Sequence, residues 1–321
     1  MSDKSLYRYI LEAVTLAMEN DELPNVSLPP DTSSPVPFAD GARDGIMMYH
    51  MGMHDITDEA RELMEKALRT ASDGDIEAAE RLFIELGKKA SALSLIDELQ
   101  KYIVVNEKEM SLNNLCDFAV YAIMNSADRE CVKFGLSILE LVDIEDNEDV
   151  KNAVIVLGRS DEFSLFSIFI MSHWRDGNSH IVLLATETRG WGRIHAIDRI
   201  EPNAENIRNW LLREGVHNTV LSAYSALNCW EKSGVAELLM SGAEFSDEEF
   251  RGLRDIMTAL LDEGPCAGIS EVENADEMLK RFLNLASGRE LDEDDLKAIR
   301  TIKANCEEKT DIVALCDEIL G

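Results

Sequence analysis

The sequence predicts an all-α fold, an α-α superhelix or solenoid of paired helices, and three observations predict it. Apolar residues recur at helical spacing from Thr57 onward with no convincing strand alternation; only IVV at 103–105 reads either way. Five of the seven prolines, Pro24, Pro29, Pro30, Pro35 and Pro37, sit in one early stretch, leaving the rest nearly free of helix-breaking residues. The segments SLFSIFIMSHW, GRIHAIDRIEP and VLSAYSALNCW start at 164, 192 and 220, a spacing of 28, which suits a repeat of two antiparallel helices.

Taken in order, the first element is a helix from Ser5 to about Met18. Next comes DELPNVSLPPDTSSPVPFADG, where proline fixes its own backbone angle and pushes its predecessor out of the helical region. This is an extended strap, and Leu23, Val26, Leu28, Val36 and Phe38 give it something to bury while it ties the first helix to the array. Residues 1–56, comprising helix, strap and a Met/His segment, form the first of three expected regions. Helical repeats fill 57–243. Asn147, Asn178 and Asn203 stand where N-caps would, and Gly158, Gly190 and Gly215 where helix stops would. Beyond 244 the repeat loosens into DEEFRGLRDIMTALLDEG, a loop GPCAGISEVENA, and three helices with acidic starts that suit the helix dipole. Residues 244–321 read as an acidic C-terminal cap, since an end repeat needs a polar outer face.

DVKNAVIVLG, Asp149 to Gly158, resembles the second helix of a HEAT repeat, with Lys151 where that pattern prefers arginine. NIRNWLLREG, Asn206 to Gly215, is a looser match with Arg208 at the basic position, and GRIHA at 192–196 fits fragments of it, leaving the phase of the pairs open. The chain is also similar to bacterial HEAT-like proteins with no established activity. The resemblance covers about 140–245, extends less closely over 57–140, and implies architecture only. It further implies that Lys151, Arg193 and Arg208 are rungs of an inter-repeat ladder, each paired with a neighbouring acid.

Charge locates the candidate surface. The formal net charge is -31, but residues 1–150 hold 31 acids against 13 bases, 151–243 hold 10 against 9, and 244–321 hold 21 against 9. The acidic flanks repel nucleic acid and anionic membrane, because duplex binding depends on neutralising phosphates with lysine and arginine. The nearly neutral middle carries all four tryptophans and the stretch TETRGWGRIHAIDRIEP. Arginine and tryptophan offer large rigid contact areas with directional hydrogen bonds. Arg189, Trp191, Arg199 and Trp210 are therefore the candidate partner-binding residues, with Arg193 on the apolar side of its helix. Trp174 and Trp230 sit at equivalent helix ends and suit packing between repeats.

A second constellation is GIMMYHMGMHD, where His50 and His54 share a helical face and Asp55 and several methionines are near. That spacing suits a transition metal, although Gly52 weakens a helix there and H-E-x-x-H is absent. The competing reading is flexible methionine packing. The six scattered cysteines contain no C-x-x-C and read as buried thiols rather than a zinc site or disulfide framework. GWGRI lacks phosphate-loop spacing, and no nucleophile elbow or Walker sequence occurs.

The expectation is a cytoplasmic protein- or peptide-binding adaptor without cofactor, its partner carrying acidic groups. No apolar run is long enough for a membrane helix, and the N-terminus lacks signal-peptide features. The alternative is an enzyme on the same scaffold. One version is a metal-dependent hydrolase at His50 and His54. The other is a DNA glycosylase using Trp191, Trp210 and Asp198, which the net charge opposes.

Overall fold

The computed structural model describes residues 4–30, 38–52, 56–264 and 266–321. Among them every regular element is helical, so the all-α expectation holds. None of these helices is long and apolar enough to cross a membrane. The chain divides into two compact units, Met1–Arg199 and Ile200–Gly321, a division that falls inside the expected 57–243 repeat region.

The first unit begins with α1 (Leu6–Glu19), whose N-cap Ser5 accepts the Arg8 N–H. Then come α2 (Ala42–Ile46), continued by a π-helical turn Met47–Met51, and α3 (Asp58–Ser72), α4 (Ile76–Gly87) and α5 (Ala92–Val105). The rest are α6 (Leu112–Asn125), α7 (Arg129–Leu139), α8 (Glu148–Gly158), α9 (Asp161–Met171), α10 (Gly177–Glu187) and α11 (Trp191–Arg199). Most of these starts are written locally: Thr57, Asp75, Ser91, Ser111, Asp128 and Asn147 each accept a first-turn backbone N–H. Each such cap contributes about 1 kcal/mol.

Short loops make neighbours of consecutive helices, giving the packed pairs α3/α4, α6/α7, α8/α9 and α10/α11. The first members α3, α6 and α8 pack on one another in turn, and so do the second members α4, α7, α9 and α11. Between α4, α6 and α7 the rings of Phe83, Phe118 and Phe134 meet at centroid distances of 4.9 and 5.2 Å. All three are fully buried, each stabilising the stack by about 2 kcal/mol.

Helix α1 packs on α6 and α8. From it the strap crosses the loop ends of the pairs: Val26 N donates to Arg159 O at 2.9 Å and Arg129 Nη2 to Pro29 O at 2.7 Å. Val26 and Leu28 are buried, as their apolar character predicts, whereas Leu23 and Phe38 stay exposed and Val36 lies outside the described residues. Two open readings close. Residues 42–51 are helical, with Gly52 (φ 68°) ending the π turn, and IVV at 103–105 is the last turn of α5.

The second unit contains α12 (Glu205–Trp210) running into a π turn Leu211–Gly215, then α13 (Ala223–Ser233), α14 (Val235–Ser241) and α15 (Asp247–Leu260). A 3-10 turn Ile269–Glu271 precedes α16 (Ala275–Ser287), α17 (Glu293–Asn305) and α18 (Thr310–Leu320). Ser246 with Glu249 and Asp292 with Asp295 form capping boxes at α15 and α17. Phe250 stacks on Phe282 at 5.6 Å, and buried Arg254 reaches Asp295 at 2.8 Å, joining α15 to α17. Asn147 caps α8 as expected. Asn178 instead lies inside α10, which starts after Asp176, and Asn203 stands one residue before the N-cap position Ala204.

Candidate functional site

Helix α7 has the sequence RECVKFGLSIL, and every residue from Cys131 to Leu139 is buried, Lys133 included at 1% exposure. A charged lysine survives in such a place only if carboxylates accompany it. Its Nζ lies 2.7 Å from Asp44 Oδ2 on α2, 2.6 Å from Glu162 Oε1 on α9 and 3.5 Å from Glu130 Oε1 one turn back. Arg129 extends the network, with Nη1 at 3.0 Å from Glu162 Oε2 and 2.8 Å from Asp40 Oδ1.

Backbone donors saturate much of what remains. Asp40 Oδ2 accepts the Leu28 N–H at 2.6 Å, Glu162 Oε2 accepts Gly41 N–H at 3.1 Å and Glu130 Oε2 accepts Ala92 N–H at 2.6 Å. Asp161 Oδ1 accepts the Gly192 N–H at 2.9 Å at the start of α11. The same few residues thus bind the strap, α2, α5, α7, α9 and α11 into one knot. Asp44 Oδ1 is buried with no hydrogen-bond partner among the described residues.

Charge within the knot is unequal: the carboxylates of Asp40, Asp44, Glu130 and Glu162 pair with Lys133, Arg129 and, at 3.9 Å from Glu130, Arg43, while Asp161 beside them meets only backbone amides among the described residues. Burial pulls Lys133 downward, but Asp44, Glu162 and Glu130 together hold it well above its ordinary range. A lysine held protonated is a clamp and not a nucleophile. Burial pushes Asp44 and Glu130 upward by more than Lys133 returns. It raises Glu162 too, yet there Lys133 and Arg129 with the Gly41 N–H prevail and the carboxyl stays low. For Asp161 burial outweighs the amide hydrogen bonds and lifts the pKa to about 6.

Two glycines permit the close approach of α2. Gly41 has φ 71°, and a Cβ there would meet Asp161 O at 2.4 Å; a Cβ on Gly45 would meet the Trp191 ring at 2.3 Å. The Trp191 ring also faces Tyr49 at 6.0 Å and His195 at 5.8 Å. Burial, then the charge of Arg199, lowers the His195 pKa to about 4, so the ring is neutral; its Nε2 has no hydrogen-bond partner among the described residues.

The residues singled out in the sequence are dispersed. Trp191 is 4% exposed and holds the chain's own α2, so its ring is not on the outer surface. Arg189 is exposed just before α11, and Arg199 is exposed at its end, 3.8 Å from Asp198 and 5.5 Å from the Phe169 ring centre. Trp210 is half-buried in the second unit. Lys151 Nζ spans from α8 to Asp176 at 3.4 Å and lies 5.0 Å from the Trp174 ring centre, whereas Arg208 donates to Pro202 O at 2.9 Å within its own loop. Arg193 is partly buried. His50 is exposed on the π turn, while His54 and Asp55 lie outside the described residues. Among the described residues no group of three histidine, cysteine or acidic side chains is placed to hold a metal, and the six cysteines are free thiols.

Sequence reasoning passed over Asp40, Asp44, Arg129, Glu130, Lys133, Asp161 and Glu162. A signal existed for two elements: Lys133 stands inside an otherwise apolar helix, and DGARDG places two aspartates four apart, each before a glycine. No protein-family model, no curated protein and no solved structure matches the chain.

Proposed function

We propose that the chain is a protein- or peptide-binding adaptor built as a HEAT-like α-solenoid, and that the row of second helices α7, α9 and α11 is its recognition face. The observation that carries this reading is that the face already holds a peptide. The chain's own acidic segment lies on it, with Asp40 and Asp44 taken by Arg129 and Lys133 and Gly45 laid against Trp191. A face that selects spaced carboxylates through charge-assisted hydrogen bonds and admits glycine against an indole is a reader of acidic, glycine-containing segments. Arg189 and Arg199, exposed near the two ends of α11, extend the surface toward further partner carboxylates. Trp191 then serves the bound segment, and not an outer patch. The stacking of α3, α6 and α8 on one side and α4, α7, α9 and α11 on the other supports the solenoid reading.

The test uses a fluorescent peptide of residues 38–52 and the full chain carrying Asp40→Asn and Asp44→Asn, which loosen its own segment. Saturable anisotropy is expected, with binding at least about tenfold weaker when the peptide carries the same two asparagines, as for the loss of a charged pair. A folded variant that binds neither peptide, or both equally, refutes recognition of acidic segments by this face.

A further inference from the structure

Beside the ionic knot a cavity of about 280 Å³ opens between the π turn, the start of α3 and the loop before α5. Met47, which is buried, Ile46 and Ala60 give it apolar walls, and the exposed Met51 stands at its edge. Methionine side chains adapt their shape to a guest, and π turns recur at functional sites because they displace side chains from the regular helical register. The polar contributions come from Arg43, Lys89, Thr57, Ser91 and Ser94.

Charge decides the class of guest. The chain holds 62 acids against 31 bases, yet among the described lining residues there are two cations and no carboxylate. Lys89 is engaged by Glu59 at 2.6 Å. Arg43 is 47% exposed, and its ion-pair partner, Glu130 Oε1, stands at 3.9 Å, beyond hydrogen-bonding distance. Its planar fork therefore has donors to offer a carboxylate in two parallel hydrogen bonds. The volume lies at the lower end of the range for ligand pockets, about 300 Å³ and above, which suits a short chain and excludes a large cofactor.

We propose that this cavity binds a small amphipathic carboxylate, its acid group on Arg43 and its short hydrocarbon chain among Ile46, Met47 and Met51. The acidic segment itself supplies Arg43, Ile46, Met47 and Met51, so the cavity exists while that segment is seated, and none of the side chains that clamp the segment lines it.

The experiment is a titration of the full-length protein, labelled at its methionine methyl groups, followed by NMR with hexanoate as probe. Met47→Leu and Met51→Leu variants identify the two resonances. Hexanoate should move both in a saturable way with a dissociation constant of about 1 mM or below, as fits so small a ligand. Hexylammonium should leave them in place and hexanol should bind at least about tenfold more weakly, since each lacks the charge that Arg43 reads. Arg43→Gln, at an exposed position, should weaken hexanoate by the same factor, and Met51→Trp should obstruct the mouth while keeping Arg43. Unmoved resonances, equal response to hexylammonium or hexanol, or undiminished binding by Arg43→Gln overturns the proposal.

Discussion

Taking a lysine out of water is unfavourable by several kcal/mol, and at position 133 three carboxylates offset that loss. Replacing one partner is then worse than replacing several, because it strands the others. Lys133→Met should lower the unfolding free energy in urea by about 3–5 kcal/mol, and adding Asp44→Leu should recover part of the loss. If the single variant is as stable as the wild type, the knot adds nothing to stability. Asp161 and His195 act in opposite directions with pH. Burial raises the folded pKa of Asp161 from 3.8 to about 6, so its contribution is full below the lower value and lost as pH rises through the upper. Burial lowers that of His195 from 6.5 to about 4, so its contribution is full above 6.5 and lost as pH falls to 4. Between pH 6 and 4, Asp161→Asn should therefore lose stability more steeply than wild type on acidification, and His195→Gln less steeply. Each difference should reach about 3 kcal/mol, from roughly two pKa units each. Urea melts across this range test both, and parallel curves for all three proteins would contradict the assignment.

At the scale of an element, the placement of α2 depends on two missing side chains. Gly45→Ala drives a methyl group into the Trp191 ring, so α2 must lift from α11, a loss of about 2 kcal/mol for overpacking. Tryptophan emission should shift to longer wavelength, and cleavage within 42–52 by added protease should accelerate. Gly52→Ala separates backbone strain from the clash: among the described residues nothing lies within 4 Å of a Cβ there, while φ 68° with ψ 177° is a nearly glycine-only conformation whose strain is about 1–3 kcal/mol. An equal shift of tryptophan emission in the two variants would remove α2 from α11. The same element shows where sequence reasoning ends. Helix starts at Thr57 and Asn147 were legible because a cap bonds within its own first turn. The knot was not, because Lys133 and Asp44 meet across 89 positions and a lysine in a helix pattern looks like solvent-facing charge. Trp191 was expected on a partner-binding surface, whereas its ring is buried against Gly45 of the same chain.

Across the whole molecule, charge repulsion and buried ion pairing respond differently to salt. Residues 1–199 hold 36 acids against 19 bases and 200–321 hold 26 against 12, so each unit is strongly negative, at -17 and -14. Exposed carboxylates in such excess repel one another and favour the unfolded chain, while surface pairs such as Arg81 with Glu77 contribute at most about 1 kcal/mol. Salt shortens the screening length from about 30 Å at 0.01 M to under 10 Å at a few tenths molar. It should relieve the repulsion more than it weakens the pairs. The melting temperature should rise by about 5 °C over that range, equivalent to roughly 1–2 kcal/mol for units of this size. The knot around Lys133, at 1% exposure, lies beyond the reach of mobile ions. The penalty of Lys133→Met should accordingly be the same at low and high salt, while wild type and variant both gain from screening. A melting temperature that falls with salt would mean that surface pairing outweighs repulsion. A Lys133→Met penalty that shrinks with salt would place that lysine within reach of solvent ions and undo the argument that its charge is sealed inside the fold.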